Sequence, residues 1–241
     1  MTNPNKYEAL SKLFTYPDEK YIENTKKAIK VLEKENPQAS KEVEEFLKLL
    51  PTDIYSQQEL YTKSFEVQAV TSLEIGYVLY GDDYTRGVIL SNITAEQKKV
   101  GNDLNGELAD HLSNVLRLIP KIEDKELLND LVTLMVAPAV ENMMKEYTPS
   151  SMKQKDKFYK KQYKTLIVPS VPLGMYLHLF KALYMVLDSD FKLIKENRPF
   201  EDVSFFGFLK NELEVEEGKK SSNSCTMTFN SCGTPIAGCG L

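Results

Sequence analysis

The chain has 241 residues, a formal net charge of −5, and a composition that is 42% hydrophobic and 27% charged. That length allows one large domain or two small ones with a substantial core, and thirty basic against thirty-five acidic residues argue against a broad nucleic-acid surface. The opening MTNPNKYEALSKL carries no basic region followed by an apolar stretch, so no secretory signal is expected. The most apolar window, Ser170 to Leu187, is interrupted by Pro172, His178 and Lys181 and reads as too polar for direct membrane insertion. The three cysteines all follow residue 224, too late to form a disulfide framework for the fold. These features describe a soluble, cytoplasmic protein.

Apolar residues recur mostly at three- and four-residue spacing, the helical period. Asn3-Pro4 supplies an N-cap and first-turn pair for a helix whose stripe is Tyr7, Leu10, Leu13 and Phe14. Tyr16-Pro17-Asp18 stops it, because proline disfavours α geometry in the residue before it. A second helix over Glu19 to Glu35 puts Ile22, Ala28, Ile29 and Leu32 inward. Asn36-Pro37 breaks it, and a third follows with Val43, Phe46, Leu47 and Leu50. Ser56 and Glu59 fit a capping box for a fourth, which carries Leu60, Tyr61 and Phe65. Leu73 to Tyr80 is the best strand candidate in the chain but reads as helical.

Further helices are expected over Asp83 to Val100, Leu108 to Ile119, Lys125 to Tyr147, Lys153 to Ile167, Leu173 to Leu187 and Phe200 to Leu213. Leu108, Leu112, Val115, Leu116 and Ile119 share one face of the second of these, and Pro138 should kink or divide the third. The fold class is all-α: a compact bundle of roughly eight to ten helices over residues 1–214. From 215 to 241 the composition turns polar and then Gly-, Ser- and Thr-rich, which reads as a flexible tail.

The common catalytic signatures are missing: the sequence has no GxGxxG, no P-loop, no GxSxG and no HExxH. Its two histidines, His111 and His178, fall on different expected helices, and His178 reads as packing on a mostly apolar one. The block Glu107-Leu108-Ala109-Asp110-His111-Leu112 admits two readings. Asp110 either caps the helix that begins there, with Glu107 near its positive dipole end, or sits with His111 at a groove edge and holds a partner. Cys225, Cys232 and Cys239 are spaced by seven, a weak pattern for metal, and describe either reduced thiols on a tail or a soft-metal clasp.

Several of these segments together resemble the NarJ branch of the redox-enzyme maturation chaperones, assembly factors of nitrate reductase and related molybdoenzymes that include TorD- and DmsD-like proteins. Tyr7 to Glu19 is similar to the first helix and YPD turn of that family. Leu60-Tyr61-Thr62-Lys63-Ser64-Phe65, Thr71-Ser72-Leu73 and Tyr80 to Gly87 continue the likeness. Glu107 to Leu112 resembles the ELPDHL signature with Ala109 in place of proline, and Val136 to Glu141 resembles the proline-broken helix after it. The match spans about residues 7 to 147. It departs at Arg117, where the family tends to carry an acid, and offers nothing from Phe158 onward.

The resemblance implies a helical chaperone, not an enzyme, with no cofactor of its own. Its partner would be the catalytic subunit of a molybdenum oxidoreductase, bound through that subunit's N-terminal peptide while cofactor is inserted. A peptide groove needs apolar anchors and a charged rim. Tyr61, Phe65, Leu73, Tyr77, Tyr80 and Leu112 are candidate anchors, although core packing gives the same spacing, and Arg86, Glu107, Asp110 and His111 are candidate orienting residues. Arg86 has the simpler alternative of pairing with Asp82 or Asp83 within a helix turn. The competing functions are a generic helical adaptor and a thiol or metal carrier acting through Cys225, Cys232 and Cys239.

Overall fold

The computed structural model describes residues 4–163, 165–168 and 173–193. They form helices α1 (Pro4–Ser11), α2 (Tyr21–Glu35), α3 (Pro37–Leu49), α4 (Ile54–Phe65), α5 (Ile75–Tyr80) and α6 (Tyr84–Lys99). After these come α7 (Leu112–Leu118), α8 (Lys125–Asp130), α9 (Ala137–Glu146), α10 (Pro149–Tyr163) and α11 (Tyr176–Phe191). The fold is all-α. Its one extended pairing among the described residues is an isolated antiparallel bridge between Glu74 and His111. No helix among them is long and apolar enough to cross a membrane. The helix expected over 200–213 and the tail with Cys225, Cys232 and Cys239 lie outside the described residues.

The core is built where the apolar stripes meet. Helix α3 packs between α2 and α11, α1 lies on α2 and α7, and α9 contacts both α11 and α5. Tyr7, Leu10, Leu13 and Phe14 are fully buried, as the first stripe requires. An aromatic cluster joins distant elements: Phe14 meets Phe180 at 5.3 Å, Phe46 meets Tyr176 at 5.4 Å, and Phe65 meets Tyr176 edge-on at 4.7 Å. Aromatic pairs in such geometries stabilise by about 0.5–1.5 kcal/mol beyond the area they bury.

Several boundaries differ from the sequence reading: α10 runs Pro149–Tyr163 where 153–167 was expected, α11 runs Tyr176–Phe191 where 173–187 was expected, and three further differences have a local reason. Helix α4 begins at Ile54 because Asp53 caps it, its carboxylate accepting the Ser56 N–H at 2.8 Å. Ser56 is therefore inside the helix and not the capping residue of a box. Helix α7 begins at Leu112, four residues later than expected, which leaves Leu108 outside it and exposed. Lys125–Glu146 runs through as α8, a π-helical stretch at Leu131–Val136, and α9. The wider turn falls just before Pro138, which has no N–H to give to the preceding turn, so the proline reshapes the helix without ending it. His178 is half-buried and bonds Glu42 of α3 at 2.6 Å, where only apolar packing was expected.

Candidate functional site

The candidate residues converge around the bridge between α5 and α7. The Ile75 N–H donates to the Asp110 carbonyl at 3.1 Å and the Leu112 N–H to the Leu73 carbonyl at 2.8 Å, which fixes residues 73–75 beside 110–112. The segment leading in is stapled from two helices, α4 and α10. Lys63 Nζ donates to the Gln68 carbonyl at 2.7 Å, Tyr159 Oη donates to the Ala69 carbonyl at 2.8 Å, and Lys155 Nζ donates to the Val70 carbonyl. Lys155 also pairs with Glu146 at 2.5 Å, and both side chains are buried. The approach to Glu74 is thus held by fixed partners on both sides.

Asp110 does not cap α7. It is fully buried, and its Oδ2 accepts the Gly76 N–H at 3.1 Å across the bridge, while its Oδ1 has no hydrogen-bond partner among the described residues. Burial pushes its carboxyl above the usual range, against the Gly76 N–H and the Arg86 guanidinium, which favour the charged form. Gly76 is required here because a Cβ would stand 2.7 Å from Asp110 Oδ2. The cap is His111, whose Nδ1 accepts the Ser113 N–H at 3.3 Å and lies 2.8 Å from Ser113 Oγ. His111 is 2% exposed, and burial pushes its pKa down to about 4.

Arg86 lies 4.9 Å from the Tyr77 ring centroid, in cation–π contact, and its Nη1 is 3.8 Å from Asp82 Oδ1, as the local pairing had suggested. Glu107 is exposed, and partial burial together with the charges of Glu74 and Glu66 raises its carboxyl pKa. Of the six expected anchors, Tyr77 and Tyr80 are half-buried. The other four, Tyr61, Phe65, Leu73 and Leu112, belong to the core, so they do not line an open trough in this conformation. Tyr61 is buried with its ring 5.0 Å from Phe65 and 5.4 Å from Tyr16, which is 46% exposed. Arg117 donates to the Asp103 carbonyl at 2.6 Å and to Asn114, holding the loop before Glu107.

Sequence reasoning missed Gly76, Glu74 and Glu66. Glu74 joins the site because the bridge places it opposite His111, a pairing that no local spacing announces. One ligand-capable atom from each of Glu74, Glu107 and His111 lies within 4.8 Å of the others, so this trio is the group among the described residues that could hold a metal ion. No known family model matches this chain, and no curated protein matches it.

Proposed function

We propose that this protein is a cytoplasmic assembly chaperone that binds the N-terminal segment of an apo molybdoenzyme catalytic subunit, nitrate reductase-like, during insertion of the molybdenum cofactor. What supports the reading is that the segments resembling the NarJ branch, far apart in sequence, meet at one corner. Residues 73–77, Arg86 and the Glu107–Leu112 block are neighbours there through the bridge, the Asp110–Gly76 hydrogen bond and the Arg86–Tyr77 contact.

In this reading the chain performs no bond chemistry. Glu107, with Glu74 and Glu66 near it, attracts basic residues of the client peptide, and screening by salt would weaken that attraction. Arg86, held on Tyr77, offers a planar donor to backbone carbonyls or carboxylates of the peptide. Tyr77, Tyr80 and exposed Tyr16 supply apolar contact, while buried Tyr61, Phe65, Leu73 and Leu112 form the rigid wall behind. Asp110 and His111 act through position: one holds Gly76 and the other starts α7.

The experiment is affinity purification of the tagged chain from cells respiring anaerobically. A molybdoenzyme catalytic subunit, cofactor-poor and lost when its N-terminal segment is deleted, should co-elute. Recovery of the protein with no such subunit would overturn the reading.

A further inference from the structure

Glu74, Glu107 and His111 come from three segments: the bridge strand before α5, the loop after α6, and the cap of α7. The bridge sets Glu74 directly opposite His111, so two of the three positions are fixed by backbone hydrogen bonds and not by side-chain choice. One carboxylate oxygen from each glutamate and one ring nitrogen of His111 lie within 4.8 Å of one another, yet no hydrogen bond joins any two of the three side chains. Neither carboxylate is paired with a Lys or Arg among the described residues.

The histidine is prepared in a particular way. Its Nδ1 is already engaged as the α7 cap by the Ser113 N–H and Oγ, which leaves Nε2 as the nitrogen the ring can offer. That nitrogen has no partner among the described residues, on a side chain that is 98% buried. Two carboxylates beside it repel each other, a cost that a cation between them would remove. Glu107 is exposed and gives an ion a route in from solvent.

We propose that Glu74, Glu107 and His111 form a binding site for one divalent transition-metal ion of the zinc class. The ligands are an imidazole nitrogen and two carboxylate oxygens, with water completing the shell. This donor set favours Zn²⁺ and its neighbours over Mg²⁺ or Ca²⁺, which take oxygen ligands throughout. Metal–ligand bonds of about 2.0–2.2 Å place tetrahedral donors about 3.3–3.6 Å apart. The exposed Glu107 side chain has room to rotate toward the other two ligands. A bound ion ties the loop before α7 to the bridge, and stabilises the folded state in proportion to its occupancy. The site needs only these three side chains and does not depend on the chaperone reading.

The test uses the full chain with C225S, C232S and C239S, so that the thiols cannot take the metal. After chelator treatment it is titrated with zinc sulfate by calorimetry, and the ring signals of its two histidines are followed by NMR. One equivalent of Zn²⁺ should bind, His111 should shift and His178 should not, and Mg²⁺ should not compete. Glu74→Gln and Glu107→Gln should each weaken binding by about tenfold or more. Glu107 is exposed, so that variant folds whatever the role of its carboxylate. Undiminished Zn²⁺ affinity in both variants, a shift at His178 in place of His111, or no binding at about 1 mM with the helical fold intact overturns the proposal.

Discussion

His111 combines a structural task and a chemical one. It caps α7 through Nδ1 and is kept neutral by burial, with the Glu74 charge pulling its pKa up and Arg117 pulling it down. Its folded pKa of about 4 lies below the unfolded 6.5, so the unfolded chain binds the extra proton. The stability it contributes is present above pH 6.5 and is lost as pH falls towards 4. Between pH 7 and pH 5 that loss is about 2 kcal/mol. Asp110 runs the other way, since a carboxyl raised by burial weakens the fold as it ionises with rising pH. Chemical denaturation in metal-free buffer at the two pH values should show the loss in the native protein and about 2 kcal/mol less of it in His111→Asn, which preserves a cap. Gly76→Ala should lower stability by about 1–3 kcal/mol at pH 7, because its Cβ pushes a buried carboxylate off the Gly76 N–H, its one hydrogen-bond partner among the described residues. The Asp110-His111 pair was legible in the sequence; which of the two makes the cap was not. Capping geometry depends on where α7 starts, and the bridge to Leu73 decides that from outside the segment.

At the scale of elements, the apolar period found most of the helices, and the stripes marked out for α1 and α3 are largely buried, as are Ala28 and Leu32 of α2. Ends were harder. Asp83 caps α6 by accepting the Thr85 N–H at 2.8 Å, and the expected boundary there holds within a residue. For α4 the sequence reading named Ser56 as the cap, and the structure uses Asp53, three residues earlier. Asp53→Ala should therefore cost about 1 kcal/mol in urea denaturation, and Ser56→Ala less than about half of that. Equal losses would mean that the helix starts later. The strand-like pattern of Leu73 to Tyr80 proves to be mixed: Glu74 pairs as a bridge and Ile75–Tyr80 is helical. Alternation and helical period cannot be separated over so short a run.

Across the whole molecule, buried ion pairs clasp elements distant in sequence. Lys6 meets Asp190 at 2.7 Å and Glu35 at 3.3 Å, and Tyr7 Oη donates to Asp190 at 2.7 Å, tying α1 to α11 and α2. Lys6 is only 4% exposed, so Asp190→Ala leaves a buried cation with a single carboxylate and should cost about 3 kcal/mol by thermal or urea unfolding. None of this was legible, because charged residues at helical spacing look the same whether they face water or each other. The same ambiguity hid the placement of Tyr61, Phe65, Leu73 and Leu112, which serve the core while Tyr77 and Tyr80 stay half-buried beside Arg86. The central claim concerns what that accessible corner binds. The most direct measurement is fluorescence anisotropy of a labelled peptide, the N-terminal segment of an apo molybdoenzyme catalytic subunit from the same cells, titrated with the native chain and with Glu107→Gln and Arg86→Gln. The account expects saturable binding, weakened about tenfold in each variant and further by salt. Binding that neither substitution alters, or no binding by the native chain, would contradict it.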